Sequence, residues 1–265
     1  MDDIGDRMKE YEARFAPRLM PLLPTLVRID GKNFHRFCQG LKRPYDENLS
    51  EAMKATTAYL MNETRAVVGY TQSDEITLCF YSADPKSQTY FNGKMQKLVS
   101  VLAAEASVCF NSLLPIFLPT KADLFPVFDC RVWQVPTLCE AANVFVWREL
   151  DATRNSVEML ARFHYSHREL LGVGCKQLHE LIHQKGDNWN NYPVHFKRGV
   201  YFGWKEEEIP HDFSEEKCAG PAHPGPRFRK RLSQLDLQPI LTYPDRVAVF
   251  FGLQHSCGVP TTAKE

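Results

Sequence analysis

The stretch Ala66-Val67-Val68-Gly69-Tyr70-Thr71-Gln72-Ser73-Asp74-Glu75-Ile76-Thr77-Leu78-Cys79-Phe80-Tyr81 decides the fold class. Two β-rich arms, Ala66 to Tyr70 and Ile76 to Tyr81, flank a polar tip from Thr71 to Glu75, which predicts a hairpin. Upstream, Thr25-Leu26-Val27-Arg28-Ile29-Asp30 is a short run of β-branched and apolar residues stopped by Gly31. It reads as a buried strand ending in a turn.

Helical periods lie between and after these strands. Pro44-Tyr45-Asp46 opens one, with Asp46 as its cap and Leu49, Met53, Thr56 or Thr57, and Leu60 at helical spacing. A second covers 88–112, with Phe91, Met95, Leu98, Val99, Leu102 and Ala106 on one stripe. Arg131 to Val135 and Val194 to Phe202 read as further strands. The order strand, helix, hairpin, helix, strand predicts an antiparallel sheet with helices on one face. Residues 205–231, with Glu206-Glu207-Glu208 followed by several Pro and Gly, read as a mobile loop. Its basic end, Arg227, Arg229, Lys230 and Arg231, reads as a solvated charge run or a phosphate-contacting patch.

The bulk numbers narrow the function classes. The chain has 265 residues, enough for a sizeable core, and 32 Lys plus Arg balance 32 Asp plus Glu. A neutral total leaves room for a local basic face toward nucleic acid. No run reaches the roughly 18 unbroken apolar residues of a membrane helix, and the charged Met1 to Glu10 reads as neither signal nor transit peptide. The expectation is a cytoplasmic protein with no membrane partner. Eight scattered cysteines without a C-x-x-C pair read as reduced.

Two acids stand out. Asp30 ends an apolar strand, and Asp74 and Glu75 sit at a hairpin tip. If the strand lies beside the hairpin, Asp30 and Asp74 meet at one end of the sheet and repel. Magnesium relieves that repulsion, accepting one or two carboxylates plus a backbone carbonyl, for which Gly31 is suited. Two such ions about 4 Å apart clamp the attacking and leaving oxygens of phosphoryl transfer. Asp30, Asp74 and Glu75 are thus the catalytic candidates, Glu75 either assisting the metal site or bracing the hairpin. Asp30, Gly31 and Asp74 are the metal-ligand candidates.

At these residues the chain resembles the tRNA-histidine guanylyltransferases and their bacterial-type relatives, the 3′-to-5′ RNA polymerases. The matching stretches are Arg28-Ile29-Asp30-Gly31-Lys32-Asn33-Phe34-His35-Arg36-Phe37, Arg43-Pro44-Tyr45-Asp46 and Gly69-Tyr70-Thr71-Gln72-Ser73-Asp74-Glu75. Phe128-Asp129-Cys130-Arg131, Trp147-Arg148 and Asn190-Asn191-Tyr192-Pro193, leading to Lys197-Arg198-Gly199, follow in order. The resemblance implies an α+β fold: a polymerase/cyclase-like palm, an antiparallel sheet flanked by helices, with a C-terminal α/β extension. The palm would cover residues 1–140, and residues 141–265 a substrate-binding extension, separate from or integral with it.

The resemblance also implies a chemistry. Two magnesium ions sit on Asp30, the Gly31 carbonyl and Asp74. Nucleotide triphosphate is held at Asp30, Gly31, Lys32, Asn33, Phe34, His35, Ser73 and Asp74. Arg28, Arg43, Arg131, Lys197 and Arg198 are expected to contact triphosphate or RNA, with Asn155 as a further polar contact. The partners are tRNA, GTP, ATP and other nucleoside triphosphates, and the assembly is a homotetramer. The expected activity is addition of nucleotides to a tRNA 5′ end, as tRNA-histidine guanylylation or as template-directed repair. Thr153-Arg154-Asn155-Ser156 stands where eukaryotic-type enzymes have a His-Ile-Asn-Asn stretch, and Cys130 replaces a glycine, which is similar to the bacterial-type branch that favours repair.

A rival motif, His179-Glu180-Leu181-Ile182-His183, matches the H-E-x-x-H of zinc metalloproteases, with Glu206, Glu207 or Glu208 as a third ligand. His164 and His167 form a looser H-x-x-H pair, read as surface or capping residues. A third reading keeps the palm and drops the chemistry, leaving a catalytically inactive RNA-binding protein.

Overall fold

The computed structural model describes residues 3–209 and 227–253. Six strands form one antiparallel sheet: β1 (Thr25–Gly31), β2 (Val68–Gln72), β3 (Glu75–Phe80), β4 (Phe128–Gln134), β5 (Val200–Ile209) and β6 (Arg227–Leu235), in the order β4-β1-β3-β2-β5-β6. The predicted strand and hairpin therefore lie side by side, with Val27 opposite Leu78 and Asp30 opposite Glu75. Eight α-helices accompany the sheet among the described residues: α1 (Ile4–Arg14), α2 (Phe34–Phe37), α3 (Glu47–Thr64), α4 (Met95–Phe117), α5 (Leu138–His164), α6 (Cys175–Gln184), α7 (Val194–Arg198) and α8 (Arg246–Phe251).

The near-continuous apolar runs of β1 to β3 are explained by burial on both faces. Val27, Ile29, Ile76 and Leu78 point into a core under α3 and α4. Leu26, Val68, Tyr70 and Cys79 point into a second core under α5 and α8. The expectation of helices on one face holds only for the elements before residue 135, where α3 and α4 share a core; α5 covers the other side. The sheet also runs across the expected boundary at residue 140, because β5 pairs with β2. A third core, with Val157, Leu160, Leu178, Ile182 and Phe196, joins α5 to α6 and α7.

Local chemistry sets the helix starts. Asp46 caps α3, its Oδ1 accepting the Asn48 and Leu49 amides at 3.0 and 3.2 Å. The second helical period starts later than its apolar stripe suggests: Tyr90–Gly93 is a 3-10 turn in which Phe91 and Asn92 have positive φ, and α4 begins at Met95. Its inner stripe, Leu98, Leu102, Ala106, Phe110 and Leu114, is buried. Among the described residues α4 is the one helix long and apolar enough, by length and composition alone, to cross a membrane.

The segment from Val194 is not a strand: α7 occupies it, following Pro193, and the strand starts only after Gly199 at φ 78°. A Cβ at Gly199 would press on the Tyr70 hydroxyl and the Thr71 carbonyl. The expected loop at 205–231 is largely a ribbon, because Lys205 to Ile209 pair with Arg227 to Arg231; residues 210–226 lie outside the described residues. Cross-strand pairs of opposite charge, Glu206 with Lys230 and Glu207 with Arg229, hold a stretch that has few apolar residues. Cys139 also departs from the reduced expectation, being disulfide-bonded, whereas Cys38, Cys79, Cys109, Cys130 and Cys175 are free.

One buried acid ties the C-terminal part to the sheet. Glu149 on α5 accepts the Tyr201 hydroxyl at 3.0 Å and the Ile240 amide at 2.9 Å, and Arg198 lies 3.9 Å away. Burial pushes its carboxyl above the ordinary 4.5, against those three partners. A raised acid binds its proton more tightly folded than unfolded, so its contribution to stability falls as pH rises from about 4.5 through the folded value. Glu149→Ala strands two buried donors and should cost roughly 2–3 kcal/mol. As the pH falls through that window, wild type should gain stability relative to Glu149→Gln. Parallel denaturation midpoints for these two proteins across the window would remove Glu149 as the titrating group.

Candidate active site

Three carboxylates stand in a row across the sheet. Asp30 on β1 is directly opposite Glu75 on β3 and Asp129 on β4. Like charges so placed destabilise a sheet. Two of them are paired. Arg148 on α5 grips both Glu75 oxygens, from Nε at 2.6 Å and from Nη2 at 2.8 Å, and Arg131 lies 3.4 Å from Asp129. Glu75 is therefore bound on both oxygens. Its contact with Arg148 braces the hairpin against α5.

Asp30 remains, and with it Asp74. β2 and β3 are joined by a two-residue turn in which Ser73 takes φ 54°, an uncommon backbone for a non-glycine residue. The turn is tied to β1: the Gly31 amide donates to the Asp74 carbonyl at 3.1 Å. Burial, and then the Asp30 charge, push the Asp74 carboxyl above its ordinary value. Among the described residues neither Asp30 nor Asp74 has a cationic partner. The reason for glycine at 31 is nearer than a ligand: a Cβ there would overlap the Phe34 ring.

Asp30 and Asp74 share a cleft of about 480 Å³ with Arg28, Ser73, Glu75, Arg148 and Asn155. Arg28 lies under the Trp147 ring at 5.7 Å and 3.8 Å from Glu75, and its buried Nε has no hydrogen-bond acceptor. A second cleft of about 550 Å³ adjoins the first through Gln72, Ser73, Met159 and Arg162. His35, Arg43, Tyr45, Asp46 and Phe196 line it.

The remaining candidates divide. The Lys32 amide already donates to the Val127 carbonyl at 2.9 Å. Asn33 has the left-handed backbone that opens α2, and Phe34 sends its ring into the core against Phe37, Phe110 and Phe128, leaving only its backbone for a ligand. Three expected cations stand outside both clefts. Arg131 is on the edge strand β4, Lys197 donates to the Asn190 carbonyl at 2.8 Å, and Arg198 lies near Glu149. Sequence reading did not single out Asp151, Glu158 or Arg162, and used Arg148 only as part of a matching stretch. The available signal was their recurrence at helical spacing with Asn155, which places all five on one face of α5.

The zinc motif does not gather a site. His179 packs edge-on against Trp189 at 5.7 Å, and Glu207 pairs with Arg229 and Arg231. Among the described residues no group of three or more His, Cys, Asp or Glu is arranged to hold a metal. His164 pairs with Asp187 at 2.8 Å, not with His167.

A six-stranded antiparallel palm that carries one acid at a hairpin tip and a second on the strand beside it, above a cleft walled by arginines, defines a nucleotidyltransferase of the palm class. The family model for tRNAHis guanylyltransferase matches residues 5–136. A solved structure of a bacterial tRNA-His guanylyltransferase-like protein in complex with ATP is 37% identical, with a TM-score of 0.72, covering 76% of this chain and 88% of that one. A second such structure, in complex with GTP, is 30% identical at a TM-score of 0.72, covering 91% of this chain and 94% of that one. The tRNA(His) guanylyltransferase of Saccharomyces cerevisiae is 27% identical over 199 residues, 68% of this chain and 82% of that protein. The chain belongs to the tRNAHis guanylyltransferase family.

Proposed function

We propose that this enzyme is magnesium-dependent and adds nucleotides to the 5′ end of tRNA in the 3′-to-5′ direction. The observation that carries the reading is the couple of Asp74, at the tip of the β2–β3 hairpin, and Asp30, on the neighbouring end of β1, without a cationic partner among the described residues. Two half-buried acids placed together without a cation fit a hard divalent ion, and the carbonyl of Gly31, whose amide is tied to the same turn, is a further oxygen donor. Magnesium bound there would lower the pKa of an attacking hydroxyl and offset charge on the leaving group. The relatives that bind ATP and GTP support a triphosphate as the donor.

The chain's own residues supply binding and orientation. Arg28 offers a buried N–H without an acceptor, suited to a phosphate oxygen. The first turn of α2 leaves the Phe34 and His35 amides without intrahelical acceptors, next to the hairpin tip. The second cleft, with Tyr45 and Phe196 on its wall, has room for a nucleobase beside Ser73. In the reaction the 3′-hydroxyl of the incoming nucleotide attacks the activated 5′ phosphorus. A phosphodiester forms, the bond to pyrophosphate or to AMP breaks and that group departs, and the hydroxyl proton passes to solvent. Homotetrameric assembly belongs to the same reading, and the exposed Ile4, Met8, Tyr11 and Phe15 along and just beyond α1 offer an apolar surface for it.

The test is incubation with magnesium, labelled nucleotide and tRNA lacking its first nucleotide, followed by sequencing of the 5′ termini. Extended 5′ ends are expected. Binding of tRNA with no incorporation would replace this reading by that of an inactive RNA-binding palm.

A further inference from the structure

The β5–β6 ribbon separates its charges by face. Strand alternation puts Tyr201, Gly203, Lys205 and Glu207 on one side, opposite Leu235, Ser233, Arg231 and Arg229. Tyr201 belongs to the core under α5, so this is the side of the sheet that carries Asp30 and Arg28, in register with Leu26 of the same core. It presents Lys205, Arg229 and Arg231 against a single acid, Glu207. Arg229 and Arg231 both reach for that acid, at 3.6 and 3.4 Å, and remain 63% and 64% exposed. The other side carries Glu206 and Glu208 with Lys230.

One pair is unexplained by the hairpin itself. Lys205 stands directly opposite Arg231, a like-charge pair where the next two rungs, Glu206 with Lys230 and Glu207 with Arg229, have opposite charges. One glutamate cannot neutralise three cations. We propose that this face binds the phosphate backbone of the RNA substrate. The proposal rests on the nucleic-acid reading above and extends it to a surface away from the clefts. Val200 is opposite Thr71 beside the hairpin tip, so Lys205 lies about 17 Å further along the strand and Arg229 about 24 Å. At roughly 3.4 Å per nucleotide, that is the reach of about five to seven nucleotides. A bound triphosphate cannot span it; a long RNA can.

The test uses the full chain with Arg229→Gln and Arg231→Gln combined. Fluorescence anisotropy with a full-length tRNA transcript over a series of salt concentrations reads the effect. The dissociation constant should rise on the order of tenfold near 0.1 M salt, and the salt slope should become shallower by about 1.5. Binding of a 5′-triphosphorylated dinucleotide should not change, which shows that the variant is folded. Glu206→Gln with Glu208→Gln, on the opposite face, should leave the slope as it is. If wild type binds the transcript and the arginine variant binds it with the same constant and slope, the ribbon is not the contact. If wild type does not bind the transcript, the nucleic-acid reading fails and this surface fails with it.

Discussion

Asp30→Ala and Asp74→Asn each reduce nucleotide transfer by on the order of a thousandfold or more while the chain stays folded. Each variant removes one of the two carboxylates that the proposal assigns to magnesium, an ion worth several kcal/mol of charge stabilisation in phosphoryl transfer. Neither side chain carries an ion pair that folding depends on, among the described residues. Each substitution also relieves the repulsion that, after burial, pushes the Asp74 carboxyl up. Without added metal, both variants should therefore unfold at the wild-type denaturant concentration or slightly above it. With magnesium, wild type should gain stability that neither variant gains, because a ligand that binds only the folded state stabilises it by mass action. Near-normal incorporation by either variant would sink the assignment of that residue.

Arg148→Ala loses about 3–5 kcal/mol of stability, a far larger cost than a surface ion pair would carry. Arg148 and Glu75 side chains are 11% and 14% exposed, and the pairing is bidentate. Its removal leaves Glu75 buried beside Asp30, with Arg28 at 3.8 Å as the nearest cation. Burial already raises the Glu75 carboxyl, and Arg148 is the largest influence holding it down. Replacing both partners, as in Arg148→Met with Glu75→Leu, removes the stranded charge and should recover most of the lost stability, though not transfer activity. Urea denaturation of the two variants decides the matter. A loss below about 1 kcal/mol in Arg148→Ala would mean that water reaches the pair and that it braces nothing.

The parts of this arrangement that could be read from the chain are those written locally. Asp30 was legible because it ends an apolar run, where an acid needs a reason, and Asp74 because it sits at a polar tip between two β-rich arms. Asp46 was legible because a cap acts on the amides two and three residues on. Arg148, Asp151 and Arg162 were not, since charges at helical spacing look the same on a wet face as on the wall of a cleft. The outer part of the β5–β6 ribbon escaped because its rungs carry mostly charged instead of β-branched residues, and its two arms are separated by the 17 residues between Ile209 and Arg227. The partners of Lys197 and Arg198 were hidden for a similar reason: a cation near the matching stretch in sequence finds its neighbour, Asn190 or Glu149, only in three dimensions.

The place of β1 and β3 inside the sheet has a consequence for motion. Both are hydrogen-bonded to neighbours on either side, and both are covered by helices above and below. Amide protons in such strands exchange with solvent only when the whole unit opens, whereas those of β4 and β6, each an edge strand among the described residues, can escape by local fraying. Asp30 thus stands on the last part of the molecule to come apart, and the Asp74 turn is pinned to it through the Gly31 amide. A hairpin tip is ordinarily among the most mobile places in a sheet; this one borrows the rigidity of the strand beside it.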